Sequence, residues 1–457
     1  MSREELFSVR PLFNPEGRHV YLETYGCQMN VNDSEVVLSI LQGAGFTLCE
    51  KMDEADLILV NTCSIRDNAE QRVLGRLDLF RQEKKRRPGV VVGVLGCMAE
   101  RLKDKLLENS AVDIVAGPDA YRDLPRLVEA VTASGKQINT ILSHEETYAD
   151  IAPVRMDKQG VSAFISIMRG CNNVCSYCIV PYVRGAERSR DPESILNEAR
   201  TLIDAGYREI NLLGQNVDSY NWSPADPAEG KLDFAGLLDR VARLDPAVRI
   251  RFATSHPKDM SDRVLHTMAS HPNICRHIHL PVQSGSDVML EKMNRKYTRA
   301  RYMEQIASIR RIMPDCAVTT DVIAGFSGET DEDFEATLSL FREVRYDGAF
   351  MFQYSERPGT KASRHYPDDV PAAVKTARLN EIIALQNEIS LERNRECVGK
   401  CYEVLIEGPS KRSDAELVGR TSQNKTCVFP AGGHRPGEYV TVRVLSCTSA
   451  TLLCEVV

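Results

Sequence analysis

The run Ser162-Ala-Phe-Ile-Ser-Ile-Met168-Arg169-Gly170-Cys171-Asn-Asn-Val-Cys175-Ser-Tyr-Cys178 joins an apolar strand to three cysteines held within eight residues. Three thiolates this close together can hold an iron–sulfur cluster. A four-iron cluster on three cysteines keeps one iron without a protein ligand, and chemistry can happen there. A structural zinc site closes with four ligands. No fourth Cys or His stands nearby; the nearest histidines are His144 and His256. A cysteine-rich loop, or part of a zinc site, is the bland alternative.

Reading onward from that run, apolar strand patterns recur at 162–168, 209–213, 248–254, 276–281, 317–323 and 348–354. Helical patterns fill 193–205, 233–243, 259–270, 299–313 and 331–344 between them. Six strands alternating with helices suggest a barrel or an incomplete one. A long helical pattern, 371–396, closes this part. Reading backward, strands at 19–25, 55–60, 90–95 and 112–115 alternate with helices at 33–44, 67–85 and 119–133, the mark of a parallel α/β sheet. The polar stretch from Ser134 to about Gly160 reads as a linker. The last 60 or so residues switch to strands such as Cys401–Ile406 and Tyr439–Val444 between Gly- and Pro-containing turns. That pattern suggests a small β-barrel of the oligonucleotide-binding type. The fold class is therefore α/β, in three parts: residues 1–145, 146–392 and 393–457.

The chain has 457 residues, 43% of them hydrophobic, which suits about three ordinary cores. Its net charge of −7 would not by itself suggest a nucleic-acid partner. From Gly399 to Val457, however, seven Lys or Arg face six Asp or Glu, so the tail is +1. No apolar run is long enough to span a membrane, and the start lacks the basic and apolar regions of a signal peptide. Fourteen cysteines in such a chain argue for metal binding over a disulfide framework. A cytoplasmic location and a monomeric chain are expected.

Three further cysteines hold matching positions. Cys27 follows the strand ending Thr24-Tyr-Gly26, Cys63 follows Leu59-Val-Asn-Thr62, and Cys97 follows Val94-Leu-Gly96. In an open parallel sheet ligands bind outside the carboxyl ends of strands. If the three strands are parallel, the three cysteines share one edge. The other reading is that they are small buried residues, as Cys49, Cys275, Cys316, Cys427 and Cys447 are expected to be. Cys397 and Cys401 also read as packing residues.

These residues resemble one family, the MiaB-type tRNA methylthiotransferases within the radical S-adenosylmethionine (SAM) enzymes. The carriers are Tyr25-Gly-Cys27-Gln-Met-Asn30 with Asp33-Ser-Glu35, Asn61-Thr-Cys63, Gly96-Cys97, the Cys171 triplet with its extension to Arg190, and Leu213-Gly-Gln-Asn-Val217. Thr254-Ser-His-Pro257, His279 to Gly285, Tyr354 to Thr360, Glu407 to Arg412 and Gly419 to Lys425 complete the match, the last two resembling an RNA-binding TRAM module. Ser327 stands where the family commonly has Pro, which bears only on local loop rigidity.

The resemblance implies a radical SAM barrel in the centre and two 4Fe–4S clusters. Cys171, Cys175 and Cys178 would hold the one that cleaves SAM to a 5′-deoxyadenosyl radical. Cys27, Cys63 and Cys97 would hold an auxiliary one whose open iron carries the sulfur. The implied product is a 2-methylthio group on an N6-isopentenyladenosine beside the tRNA anticodon. An electron donor and a sulfur source are implied partners. An aromatic C–H has no acidic proton for ordinary acid–base residues to take, so cofactors must supply the hard chemistry.

Gly214, Gln215 and Asn216, ending the second barrel strand, are candidates for the SAM amino group. Gln283 and Ser284 are candidates for SAM or adenine, and Gly325 for the adenosyl part of SAM; polar turn-formers are the alternative. Arg184, Arg188 and Arg190 are candidates for tRNA phosphate or SAM. Lys411, Arg412, Arg420 and Lys425 are candidates for phosphate contacts in the tail, which position RNA without specifying it. Still open are sister activities on a ribosomal-protein aspartate or on threonylcarbamoyladenosine in tRNA. A non-catalytic, metal-stapled RNA-binding protein is the reading from another class.

Overall fold

The computed structural model describes residues 18–64, 67–156, 160–224, 226 and 230–457. They divide into two compact units. The first holds the residues up to Met156 with Arg169–Asn172 and Ile179–Arg190; the second holds the remainder.

The first unit is built on six parallel strands, β1 (Arg18–Tyr25), β2 (Phe46–Leu48), β3 (Leu57–Thr62), β4 (Val91–Gly96), β5 (Ile114–Ala116) and β6 (Gln137–Asn139). Their order is β2-β1-β3-β4-β5-β6. Every residue of β3 is buried, as expected of a parallel strand covered on both faces. Its side chains alternate between two cores. Leu57 and Leu59 pack with Val36, Leu41 and Leu124. Ile58 and Val60 pack with Val73, Leu77 and Phe80. The order reverses between β1 and β3, and such a reversal opens a crevice at the carboxyl ends of the two strands.

Two strands of this sheet escape the sequence reading. β2 and β6 are three residues each and lie at the sheet edges, too short to show alternation. The stretch read as a linker therefore supplies β6, which pairs with β5 in parallel. It also supplies Tyr148, which is buried and stacks on Tyr121 at 5.7 Å.

The second unit has six parallel barrel strands in two sheets of three. Ser162–Ser166, Glu209–Leu213 and Arg249–Phe252 form one; His277–His279, Ala317–Ala324 and Gly348–Gln353 form the other. A parallel bridge between Ile250 and Ile274 links the two. The first and last strands do not pair with each other, so the six-stranded barrel is incomplete, as expected. Helices Pro192–Asp204, Phe234–Ala242, Asp262–Ser270, Arg299–Ile312 and Asp331–Val344 alternate with the strands, and Ala372–Arg395 follows. The tail closes a five-stranded barrel in the order Cys401–Ser410, Ser413–Thr421, Thr426–Pro430, Leu452–Val456, Tyr439–Cys447.

The tail is fastened at the amino ends of the barrel strands. Arg249 donates to the Arg420 carbonyl at 2.6 Å and Arg251 to the Thr421 carbonyl at 2.8 Å. Lys425 pairs with Asp347 at 3.0 Å. Among the described residues no helix is long and apolar enough to cross a membrane.

One buried histidine, His256, and one half-buried histidine, His277, stay neutral in the second unit. Burial, then Arg295 and Lys258, pushes His256 down to about 2. Burial, then Arg251 and His279, pushes His277 down to about 3. The unfolded chain protonates each near pH 6.5. Stability from this source is therefore fully present above that pH and falls by about 1.4 kcal/mol per pH unit per histidine below it. Asp218 works in the opposite sense. Burial raises its carboxyl to about 7, so the folded chain holds a proton there that the unfolded chain has lost. That offsets one histidine between its unfolded pKa and about 7. His277→Gln is expected to flatten the acid limb of a melting-temperature profile; an unchanged slope would contradict the assignment.

Candidate functional site

Cys27, Cys63 and Cys97 are brought to one edge of the first unit's sheet. Tyr25 of β1 is in register with Thr62 of β3, and Thr62 with Gly96 of β4. The cysteines come one or two residues past this level, at the carboxyl ends flanking the reversal in strand order. Cys63 and Cys97 are buried and Cys27 is partly exposed. Two glycines keep the crevice open. Gly26 has φ +129°, and a Cβ there would fall 2.4 Å from Cys63 Cβ. Gly96 has φ +87°, and its Cβ would fall 2.3 Å from Asn61 Oδ1.

The charge around these thiols is set by residues far away in sequence. The Arg184 guanidinium lies 3.2 Å from Cys97 Sγ and donates to Asp33 at 2.8 Å. Arg169 donates to the other Asp33 oxygen at 2.8 Å. All three are buried. Burial alone would raise the Asp33 carboxyl, but the two guanidiniums hold it below the usual carboxylate range. A hydrogen bond with Cys63, assisted by the Arg184 charge, pulls the Cys27 thiol down to about 6. Burial pushes the Cys97 thiol up, and Arg184 works against it. Behind the thiols, Asn61 donates to Ser34 at 3.0 Å and Asn30 donates to Asn61 at 3.2 Å.

This placement corrects the reading of Arg184, Arg188 and Arg190 as contacts for RNA phosphate. All three are buried. Arg188 binds Asp119 at 3.0 Å and the Ser143 carbonyl, and Arg190 donates to the Ala149 carbonyl at 3.4 Å. Arginine reads as a surface residue in sequence, and these are internal counter-charges. In the tail, Lys425 is held by Asp347 and Asn394, and Arg420 pairs with Glu407 at 3.0 Å. Lys425 is held internally and Arg420 is paired at the surface, whereas Lys411 and Arg412 are exposed at the turn after Ser410.

The Cys171 triplet follows the first barrel strand. Cys171 belongs to the first unit and its N–H donates to the Gly185 carbonyl at 3.1 Å. Cys175 and Cys178 belong to the second unit. There the buried Arg295 lies 3.4 Å from Cys175 Sγ and is held by the Pro281 carbonyl at 2.7 Å and by Tyr297. Tyr177 meets Phe326 edge-on at 6.4 Å. Arg295 was missed by the sequence reading, since nothing local ties it to a cysteine 120 residues earlier.

The carboxyl ends of the barrel strands carry buried polar atoms without a partner, among them Gln215 Oε1, Asn216 Oδ1 and His256 Nε2. The Asn216 amide donates to Asp259 at 2.7 Å. Gly214 lies against Met168, where a Cβ would fall at 2.5 Å. Gln283 takes a left-handed φ of +70° and bridges Val322 in parallel. Ser284 is turned toward Thr337 at 3.4 Å and caps the Ser286 N–H. Gly325 has φ +72° and donates to Glu329 at 3.0 Å.

Among the described residues no three His, Cys, Asp or Glu side chains converge closely enough for a single metal ion. The donors suit a larger group. Soft thiolates select iron–sulfur clusters, and a cluster spreads its ligands further apart than one ion does. The glycine-lined crevice at Cys27, Cys63 and Cys97 and the guanidiniums beside Cys97 and Cys175 fit anionic clusters. The unpartnered polar atoms at the barrel mouth fit a zwitterionic cofactor such as SAM.

Known proteins agree with this layout. A model of an uncharacterized protein family, UPF0004, matches residues 19–117, the radical SAM superfamily model matches 165–341 and the TRAM domain model matches 395–457. The tRNA-2-methylthio-N(6)-dimethylallyladenosine synthase of Bacteroides thetaiotaomicron is 57% identical over 440 residues, 96% of either chain. The chain belongs to this synthase family. The synthase of Phocaeicola vulgatus is 58% identical over 442 residues, again 96% of either chain. That of Porphyromonas gingivalis is 56% identical over 448 residues, covering 97% of this chain and 96% of the relative. Among solved structures, the radical SAM methyltransferase TsrM from Kitasatospora setae shares the fold, with a TM-score of 0.56 at 14% identity over 86% of this chain and 79% of that one. Membership of the radical SAM superfamily brings SAM and an iron–sulfur cluster as cofactors.

Proposed function

We propose that the chain inserts a methylthio group at carbon 2 of N6-isopentenyladenosine in tRNA, beside the anticodon. The observation that carries this reading is the set of three thiols at adjacent strand ends, in a chain that already has a SAM-type cysteine triplet. Cys171, Cys175 and Cys178 would hold one 4Fe–4S cluster and Cys27, Cys63 and Cys97 a second. When bound, these groups and SAM supply the electron, the carbon radical and the sulfur that an unactivated aromatic C–H requires.

The protein's own part is positioning and charge balance. Arg184 offsets thiolate charge at Cys97, and Asp33 keeps that guanidinium aimed. Arg295 does the same for Cys175, with Pro281 and Tyr297 holding it. Gln215 and Asn216 orient SAM through their free oxygens; Gln283 and Gly325 follow the carboxyl ends of other barrel strands, whereas Ser284 is turned to Thr337. The division of labour follows residues 1–145, 146–392 and 393–457.

The substrate is captured in part by the tail. Lys411 and Arg412 are exposed cations on one turn of it, so the Lys411→Ala, Arg412→Ala double variant should bind an anticodon stem-loop more weakly. The slope of log affinity against log salt should shrink by about 1.4, two single-strand phosphate contacts. An unchanged slope would remove those contacts. An electron donor and a sulfur source complete the reaction, in the cytoplasm. The test of the activity is nucleoside mass spectrometry on a deletion strain. Loss of the 2-methylthio-isopentenyl nucleoside, restored by the gene, is expected. Its retention with loss of another modification would sink the assignment.

A further inference from the structure

Two phenylalanines of the last barrel strand are largely uncovered. Phe350 is 59% and Phe352 41% exposed. The neighbours Ala349 and Met351 pack on the unit's main core with the surrounding helices. Side chains alternate along a strand, so Phe350 and Phe352 lie on the face the helices leave uncovered, the inner wall of the barrel. Barrel interiors are normally filled by side chains, and bare aromatic rings there leave room for a ligand.

The register shows what accompanies them. Asp321 pairs with Phe350 and Ile323 with Phe352; His279 pairs with Thr319 one strand over. The His279 ring meets Phe350 edge-on at 5.7 Å. Its two nitrogens are fixed by Thr319 at 3.0 Å and Asp321 at 3.2 Å. Toward the mouth, Ile323 packs against the cluster of Phe326, Met289 and Tyr354, which also takes in Tyr177. Tyr177 lies between Cys175 and Cys178 in sequence. A flat aromatic surface with a carboxylate beside it thus runs up to the residues around the SAM-type cysteines.

We infer that Phe350 and Phe352 form the platform on which the target adenine stacks, with its isopentenyl tail against Phe352 and Ile323. Asp321 accepts from the exocyclic N–H, and His279 holds that carboxylate. Sequence-specific RNA recognition commonly splays a loop base onto aromatic side chains. This inference rests on the tRNA reading above. SAM also carries an adenine, so the test separates the two sources.

The test uses the full chain, purified anaerobically, with an anticodon stem-loop RNA carrying or lacking the isopentenyl group. SAM affinity is measured on the same samples. The wild type is expected to prefer the isopentenylated loop. Phe350→Ala and Phe352→Ala should each lose about tenfold of that affinity, as loss of a base stack does, with SAM affinity unchanged. Phe350→Trp should keep the preference. Variants that keep the full preference would overturn the platform, as would a loss of SAM affinity with RNA binding unchanged. A wild type that binds both loops equally overturns only this inference; one that binds neither overturns the tRNA reading as well.

Discussion

Cys63→Ala is expected to go on cleaving SAM to 5′-deoxyadenosine while making no methylthio product. Cys63 follows β3 at the first unit's crevice, and it hydrogen-bonds with Cys27, which it helps to acidify. Its removal takes one of three thiolates from the proposed sulfur-bearing site and raises the Cys27 thiol back toward its ordinary value. Neither change touches Cys171, Cys175, Cys178 or Arg295. Cys171→Ala should show the other pattern, with no 5′-deoxyadenosine at all. The assay is chromatography of the small molecules beside mass spectrometry of the nucleosides. Full product from Cys63→Ala would refute the role of the amino-terminal cysteines.

Asp33→Ala should cost the first unit about 3–5 kcal/mol, the penalty for leaving buried charge without its partner. Asp33 is fully buried and takes one hydrogen bond each from Arg169 and Arg184, both also buried. The variant leaves two guanidiniums facing each other, and releases the one beside Cys97. Urea unfolding of the cluster-free chain, followed by hydrogen exchange of β1 and β3, reads the loss. A cost below about 1 kcal/mol, the range of exposed ion pairs, would show that the network is solvated and sets nothing.

The sequence made the central strands and the strand-end positions of Cys63 and Cys97 legible for simple reasons. β3 and β4 are six-residue, mainly apolar runs followed at once by Cys63 and Cys97, so position along the strand told where these thiols would be. The three-residue strands β2 and β6 carry no alternation and read as loop. Charge was misread for a different reason. Arg184 is 151 residues from Asp33 in sequence, and Arg169 is 136, so no local pattern distinguishes these buried arginines from phosphate-binding ones. Lys425 is the same case, since only the folded chain brings Asp347 to it. Phe350 and Phe352 read as ordinary strand residues until the register shows that helices cover only the other face.

The most direct test of two clusters in one chain is iron and sulfide per chain after anaerobic purification and reconstitution. About eight irons are expected for the wild type, the content of two 4Fe–4S clusters. About four should remain when Cys27, Cys63 and Cys97 are all changed to Ala. About four irons in the wild type, unchanged by the triple substitution, would contradict the second cluster and the sulfur chemistry that depends on it.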